Sequence, residues 1–342
     1  MQAMAVVDYA RPLALLELPE PSPPPGHALL RVLTCGVCHT DLKVVRGRMP
    51  FSPSLPLPHV PGHEICGEVV SAPPHSEVRP GDRVVVYNYQ TCGQCAQCRS
   101  GRENLCQQLQ GLVGFTLPGG FQEWLTVAPE RLFRLPASLP PEMASVVACA
   151  LATAYRAVAV RGAVRPAETA VVIGAGGVGL HALQIARTAG ARTLAVDIAA
   201  RKRETAAAWC DAPPCAPEEA QERVHEATAG RGAELVVDTV GHAATLALAV
   251  RLVRAGGRVV LVGYDVEREA PLPTHVLVMQ EVTLLASRYG TRSDLERVLS
   301  LLASGAVRPV VDGVLPLTEA NEALRRLAAG EVMGRVVLQV AS

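Results

Sequence analysis

The apolar run Ala170–Ile173 leads without a break into Gly174-Ala175-Gly176-Gly177-Val178-Gly179 and then into a helical pattern. A strand that becomes a helix through G-x-G-x-x-G needs the first glycine, Gly174, for a tight turn. The second, Gly176, lets the backbone approach a pyrophosphate, and the third, Gly179, lets helix and strand pack closely. Phosphates then sit at the helix N-terminus, where unpaired N–H groups and the helix dipole favour an anion. Asp197 ends the next apolar run, 18 residues beyond Gly179. A carboxylate there accepts hydrogen bonds from ribose hydroxyls and repels a 2′-phosphate, so NAD is favoured over NADP. Arg201 argues the other way, because a nearby guanidinium can grip a 2′-phosphate.

The surrounding segment repeats the strand-to-helix pattern. Strands are expected at Ala170–Ile173, Thr193–Val196, Glu234–Val237, Arg258–Val262 and Val282–Ala286. Helices fall between them at Gly177–Ala189, Arg201–Trp209, Glu218–Thr228 and Ala243–Val253. Apolar strands alternating with helices imply an α/β fold, a doubly wound parallel sheet covered on both faces. The first 140 residues differ. They read as short β-segments with Pro/Gly punctuation, such as Ala28–Leu33, Glu68–Val70, Asp82–Tyr87 and Phe121–Val127, with no long helical period. Pro141–Val160 reads as an apolar helix, and two amphipathic helices, Ser293–Ala303 and Thr318–Ala328, precede a last strand, Arg335–Val340.

Length and charge narrow the function. A chain of 342 residues with zero formal net charge suits two domains and gives no reason to expect nucleic acid as a partner. No run approaches the roughly 18 uncharged apolar residues of a membrane span, and the N-terminus lacks a signal-peptide pattern. A cytoplasmic protein acting on a small molecule is expected, with no membrane partner.

Ten cysteines in such a setting point to thiolate chemistry rather than disulfides. Four form Cys92-x2-Cys95-x2-Cys98-x7-Cys106 in a Gly/Gln/Arg-rich loop. Four clustered thiolates satisfy a tetrahedral zinc with no open position, which ties a loop together and performs no chemistry. An iron–sulfur cluster is the alternative, disfavoured by the wide last spacing and by the absence of a proline after Cys106. Cys38, His63 and Cys149 are far apart, and spacing alone does not join them. A Cys/His/Cys set would leave zinc one open position for a substrate oxygen.

These motifs together identify a resemblance. GVCHTD at 36–41, PGHE at 61–64, CGQCAQCRSGRENLC at 92–106, VVIGAGGVG at 171–179 and VD at 196–197 resemble, in order and separation, the zinc-containing alcohol dehydrogenases of the medium-chain dehydrogenase/reductase family. The resemblance implies a GroES-like β-rich catalytic domain at 1–150 and 289–342, with a structural zinc lobe at 88–110. It implies a Rossmann NAD-binding domain inserted at 151–288, and the active site in the cleft between. It further implies two zincs per chain, NAD, a small alcohol or carbonyl substrate, and a homodimer or homotetramer.

Residue by residue, Cys38, His63 and Cys149 resemble the catalytic zinc ligands, and Glu64 the acid that approaches the metal. Asp41 resembles the carboxylate that orients the histidine ligand, and Thr40 the hydroxyl that takes the alcohol proton. His39 and Arg335 resemble pyrophosphate contacts. Thr153 and Val178 resemble residues that press on the nicotinamide, with Gly177 in the loop beside it. Lys202 resembles the lysine that supports Asp197. Where many members carry a histidine at the end of the proton relay, this chain has Lys43. Lys43 and Lys202 are the only lysines; the other 30 of the 32 Lys and Arg residues are arginine. Polyol or sugar dehydrogenases share this pattern. Zinc-free enoyl or quinone reductases lack the cysteines, and an inactive NAD-binding protein would have no need of the open zinc set.

Overall fold

A computed structural model describes residues 1–136 and 138–341. It divides into two compact units. The first holds Met1–Cys149, Thr291–Leu299 and the residues from Val311 onward; the second holds Ala150–Gly290 and Ser300–Val310.

In the second unit five strands are all parallel, in the order Arg192–Val196, Thr169–Ile173, Ala233–Asp238, Val253–Leu261, Thr283–Ala286. A further single bridge joins Val196 to Cys215, also parallel, beyond Arg192–Val196. Counting it, the chain order across the sheet is 3-2-1-4-5-6, the Rossmann order, which reverses beside Thr169–Ile173. Every residue of Thr169–Ile173 is buried, as expected for a central strand covered on both faces.

The glycine loop divides its work by position. Gly174 has φ +92°, a left-handed conformation that glycine adopts without strain. A Cβ on Gly179 would stand 1.7 Å from the Gly174 carbonyl oxygen, so helix and strand touch where no side chain fits. A Cβ on Gly176 would meet no protein atom within 4 Å.

The first unit is built on a seven-stranded sheet. Its order is Val311–Pro316, Arg335–Gln339, Ala28–Val37, Glu64–Ser71, Arg83–Val86, Leu132–Arg134, with Trp124–Val127 also paired to Ala28–Val37. Arg335–Gln339 and Glu64–Ser71 both run antiparallel to Ala28–Val37, with Val336 opposite Val37 and Glu64 opposite Gly36. The end of one strand and the starts of its two neighbours therefore lie at the same edge. That single register brings Cys38, His63, Glu64 and Arg335 together.

Two expectations need correction, and one short element adds to the reading. Within the first 140 residues His39–Val45 is a helix, too short to carry a long helical period. Its start is fixed by Asp41, whose Oδ2 accepts the Cys38 N–H at 2.8 Å in a capping box, a short-range device that hydrophobic periodicity does not report. The segment Ser300–Val310 groups with the nucleotide unit, not with 289–342 as a whole. Gln184 explains this, since its carboxamide both donates to the Arg308 carbonyl (2.9 Å) and accepts from the Arg308 N–H (2.8 Å), while His181 Nε2 accepts from Val310 N–H at 3.1 Å. Finally, Pro141–Arg161 is one helical run long and apolar enough to cross a membrane by length and composition, contrary to expectation. Of the most apolar 18-residue stretch of this run, 78% is buried inside the protein, as in a core helix. Two of its turns, Val147–Leu151 and Arg156–Arg161, are π-helical.

The glycine geometry makes a prediction. Gly179→Ala should cost more than about 3 kcal/mol, because backbone must move. Gly176→Ala should cost less than about 1 kcal/mol. Thermal melts of the two variants decide it, and equal melting temperatures would contradict the packing argument.

Candidate active site

Four buried side chains converge at the sheet edge of the first unit. Cys38, His63, Glu64 and Cys149 each offer a ligand atom, and these atoms all lie within 4.8 Å of one another. Cys38 follows strand Ala28–Val37, His63 precedes strand Glu64–Ser71, and Cys149 comes from the π-turn Val147–Leu151. π-turns inside helices are frequent at functional sites.

Asp41 organises two of the four. Its Oδ1 is 3.0 Å from His63 Nδ1 while its Oδ2 holds the Cys38 N–H. With Nδ1 so engaged, the His63 lone pair toward the cluster is Nε2. The ring of Phe115 lies against the other side of the imidazole, with centroids 4.5 Å apart.

Glu64 is already engaged. Arg335 Nε donates to both its oxygens, at 3.0 and 3.1 Å, and Arg335 Nη2 lies 3.5 Å from Cys38 Sγ. The resemblance implied a pyrophosphate contact for Arg335; in the structure its guanidinium is buried against Glu64 and Cys38. Gly36 makes room for this pair, since a Cβ there would stand 2.4 Å from Glu64 Oε2.

With Glu64 tied to Arg335, two sulfurs and one imidazole nitrogen remain as donors, the soft and borderline set that suits zinc with one position open. Burial and neighbouring charges set the protonation of these groups unevenly. Cys149 hydrogen-bonds to Cys38, and this bond, helped by the charges of Arg335 and His63, holds the Cys38 thiol well below its ordinary range. The same bond and burial hold Cys149 well above it. Burial opposes protonation of His63, but the charge and hydrogen bond of Asp41 outweigh it and raise its pKa. Burial lifts Glu64 to about 7 against the pull of Arg335. Thr40 is half-buried, with its Oγ1 3.8 Å from Cys38 Sγ. His39 is exposed and Lys43 half-buried on the same helix.

The four-cysteine lobe is a second convergence. Cys92, Cys95, Cys98 and Cys106 also place their sulfurs within 4.8 Å of one another. Sγ of Cys92 is 3.9 Å from that of Cys98 and 3.5 Å from that of Cys106, and all four are free thiols. A tetrahedron with 2.3 Å Zn–S bonds has edges of about 3.8 Å, so the sulfurs fit zinc. Backbone N–H groups of Cys98 and Gln107 push the Cys95 thiol down to about 6, while burial pushes Cys98 up to about 12. Glu103 of this lobe accepts the N–H of Arg292 at 2.6 Å, which anchors the start of helix Arg292–Ala303 to it.

In the nucleotide unit, Asp197 Oδ2 accepts the Ala175 N–H at 2.7 Å and Oδ1 accepts the Ala199 N–H at 2.9 Å. The carboxylate is thus fixed beside the glycine loop. Arg203 donates to the carbonyls of Asp197 and Ile198, a role that sequence reading missed. Lys202 is half-buried, and Arg201 exposed. Ile198 is 84% exposed, a large apolar side chain left open directly after Asp197. Thr153 is buried, and Val178 is half-buried in the first turn of the loop helix. The open space where a Gly176 Cβ would stand and the fixed carboxylate fit a dinucleotide, whose phosphates favour a helix N-terminus.

A fold with an inserted Rossmann sheet and a buried Cys/His/Cys cluster defines a metal-dependent nucleotide oxidoreductase. Comparison with known proteins gives the family. Residues 24–137 match the alcohol dehydrogenase GroES-like domain, and residues 177–304 match the zinc-binding dehydrogenase domain. The chain is 36% identical to an alcohol dehydrogenase of Geobacillus stearothermophilus, covering 99% of this chain and all of that one. It is 35% identical to an NAD-dependent alcohol dehydrogenase of Sulfolobus acidocaldarius, covering 99% of this chain and all of that one. The structure is similar to that of the alcohol dehydrogenase TADH from Thermus sp. ATN1, with TM-score 0.91, 34% identity and full coverage of both chains. The chain belongs to the zinc-type medium-chain alcohol dehydrogenases, and is an NAD-dependent oxidoreductase of that family.

Asp41 generates the test of this geometry. Asp41→Asn should weaken metal retention at the Cys38 site by about 10–100-fold, because it removes the charge behind His63. Chelator competition on the purified variant measures this, and unchanged retention would remove Asp41 from the role.

Proposed function

We propose that the chain interconverts a small alcohol and its aldehyde or ketone, with one zinc at Cys38, His63 and Cys149 and a second at Cys92, Cys95, Cys98 and Cys106. The observation that carries this reading is the buried Cys/His/Cys set with Glu64 withdrawn onto Arg335. When bound, zinc supplies a Lewis acid that lowers the pKa of an alcohol, and NAD supplies the hydride acceptor.

The chain's own residues do the rest. Cys38 and Cys149 hold the metal as thiolates, and Asp41 keeps His63 in the tautomer that presents Nε2. Glu64 stands close enough to approach the metal if Arg335 releases it. Thr40, beside Cys38, takes the alcohol proton and passes it toward the cofactor ribose. Gly174, Gly176, Gly177 and Gly179 shape the phosphate cradle, and Asp197, backed by Lys202, accepts the ribose hydroxyls. Exposed Ile198 offers the purine an apolar face. Val178 and Thr153 press on the nicotinamide, and His39 contacts the pyrophosphate. The zinc–thiolate chemistry suits a reducing compartment such as the cytoplasm, and a homodimer or homotetramer is the expected assembly.

A panel of primary, secondary, aromatic and polyol alcohols, assayed with NAD and with NADP by nicotinamide absorbance, tests this. Turnover of simple alcohols with NAD preferred is expected. Turnover of polyols alone would move the enzyme to the sugar-acting relatives. Preference for NADP would mean that Arg201 outweighs Asp197.

Lys43 lies one helical turn from His39 and half-buried. Its charge favours the cofactor phosphates, and the relay ends in water beyond the ribose. Lys43→Ala should therefore weaken NAD binding at least about threefold, the loss expected of one surface charge pair, and leave the pH profile of turnover in place. Lys43→Arg should be mild. A shifted profile at saturating NAD would make Lys43 the terminal base instead.

A further inference from the structure

The nucleotide unit contains a cavity of about 590 Å³ that belongs to neither site. Its rim is formed by the residues just before or at the starts of three strands: Arg231 precedes Ala233–Asp238, Arg254 is the second residue of Val253–Leu261, and Gln280 precedes Thr283–Ala286. The strands are parallel and the glycine loop follows the far end of their neighbour Thr169–Ile173, so this cavity opens at the opposite edge of the sheet. We propose that it binds a small polyanion, a phosphorylated or polycarboxylate metabolite.

Charge carries the argument. His225 reaches the cavity from helix Ala220–Thr228, where Gln221 and His225 share one face at i, i+4 spacing. Arg251 reaches it from the last turn of helix Ala243–Leu252. With Arg231 and Arg254 this places three guanidiniums and an imidazole around one concavity whose lining includes no acidic residue. Arg254 is partly compensated, its Nε lying 3.2 Å from Glu234. Arg231 and Arg251 have no carboxylate partner among the described residues. Glu226, on the same helix as His225, pairs with Arg223 at 3.2 Å.

In a chain of zero net charge this is a local concentration of one sign. Like charges around one concavity raise one another's energy, and a multiply charged anion relieves all of them at once. Planar guanidiniums match the oxygens of phosphate and carboxylate two at a time. The remaining lining is mostly small apolar side chains, valines and alanines with a proline, which leaves the carbon body of a metabolite a surface to cover. The volume falls within the roughly 300–1,000 Å³ of small-molecule sites. The proposal does not depend on the reaction assigned above.

The test uses the holoenzyme saturated with NADH, so that the glycine loop is filled. Isothermal titration with inorganic pyrophosphate, and separately with citrate, is run at constant ionic strength. About one equivalent per chain should bind in this pocket. The double variant Arg231→Ala/Arg251→Ala should lose at least about tenfold in affinity, the worth of one charge-assisted hydrogen bond or more. Both side chains are exposed, so the variant should keep its melting temperature, NADH binding and basal turnover. Arg231→Lys/Arg251→Lys should retain part of the affinity. Tighter pyrophosphate marks a phosphorylated ligand, and tighter citrate a polycarboxylate. No binding of either to the wild type, or undiminished binding to the alanine variant, overturns the proposal.

Discussion

The register of three strands holds the molecule's chemistry in place. Because Val37 stands opposite Val336 and Gly36 opposite Glu64, residues about 300 positions apart meet at one sheet edge. They carry charge into the interior: Asp41, His63, Glu64 and Arg335 are each at most 3% exposed. Isolated charges there would cost several kcal/mol apiece, so each survives only through its partners. Arg335 neutralises Glu64, and Asp41 is answered by His63 and the Cys38 N–H. The Cys38 thiolate and, once deprotonated, Cys149 are left to be answered by a cation. A dication at that place completes the set, and its binding is coupled to the loss of the ligands' protons.

The nucleotide unit solves a different problem. Its strand and helix approach so closely at Gly174 and Gly179 that only glycine fits, while Gly176 faces open space. The two constraints have separate consequences, folding in one case and ligand approach in the other. Asp197 is tied to this loop, since its oxygens take the backbone N–H groups of Ala175 and Ala199. Rotating that carboxylate would break both hydrogen bonds, so its orientation is fixed by the protein.

Much of this was legible in the sequence, for physical reasons that differ by region. The parallel sheet was readable because apolar strands alternate with helices over more than a hundred residues, and all five expected strands occur with ends shifted by a few residues. The cysteine lobe was readable because its ligands are local. The open site was not: Cys38, His63 and Cys149 are joined by strand register and a π-turn, and only the family resemblance grouped them in advance. The helix at His39–Val45 was missed because a capping carboxylate fixes it and it is too short to show a period. The Glu64–Arg335 pair and the stacking of Phe115 on His63 left no local signal. Gly36 sits in the quoted GVCHTD motif, yet its reason, space for the Glu64 carboxylate, became visible only with the neighbouring strand in place. The attachment of Ser300–Val310 to the nucleotide unit depends on two side chains, Gln184 and His181, more than a hundred residues away.

The central claim is that one metal site is open and acts on substrate while the other is closed and acts on stability. Elemental analysis of the wild type, Cys38→Ser and Cys98→Ser, each paired with turnover and a thermal melt, tests it directly. The wild type should carry about two zincs per chain and each variant about one. Cys38→Ser should lose turnover and keep most of its melting temperature, whereas Cys98→Ser should melt earlier. An active Cys38→Ser enzyme, or iron with a visible charge-transfer band at the four-cysteine lobe, would contradict the account.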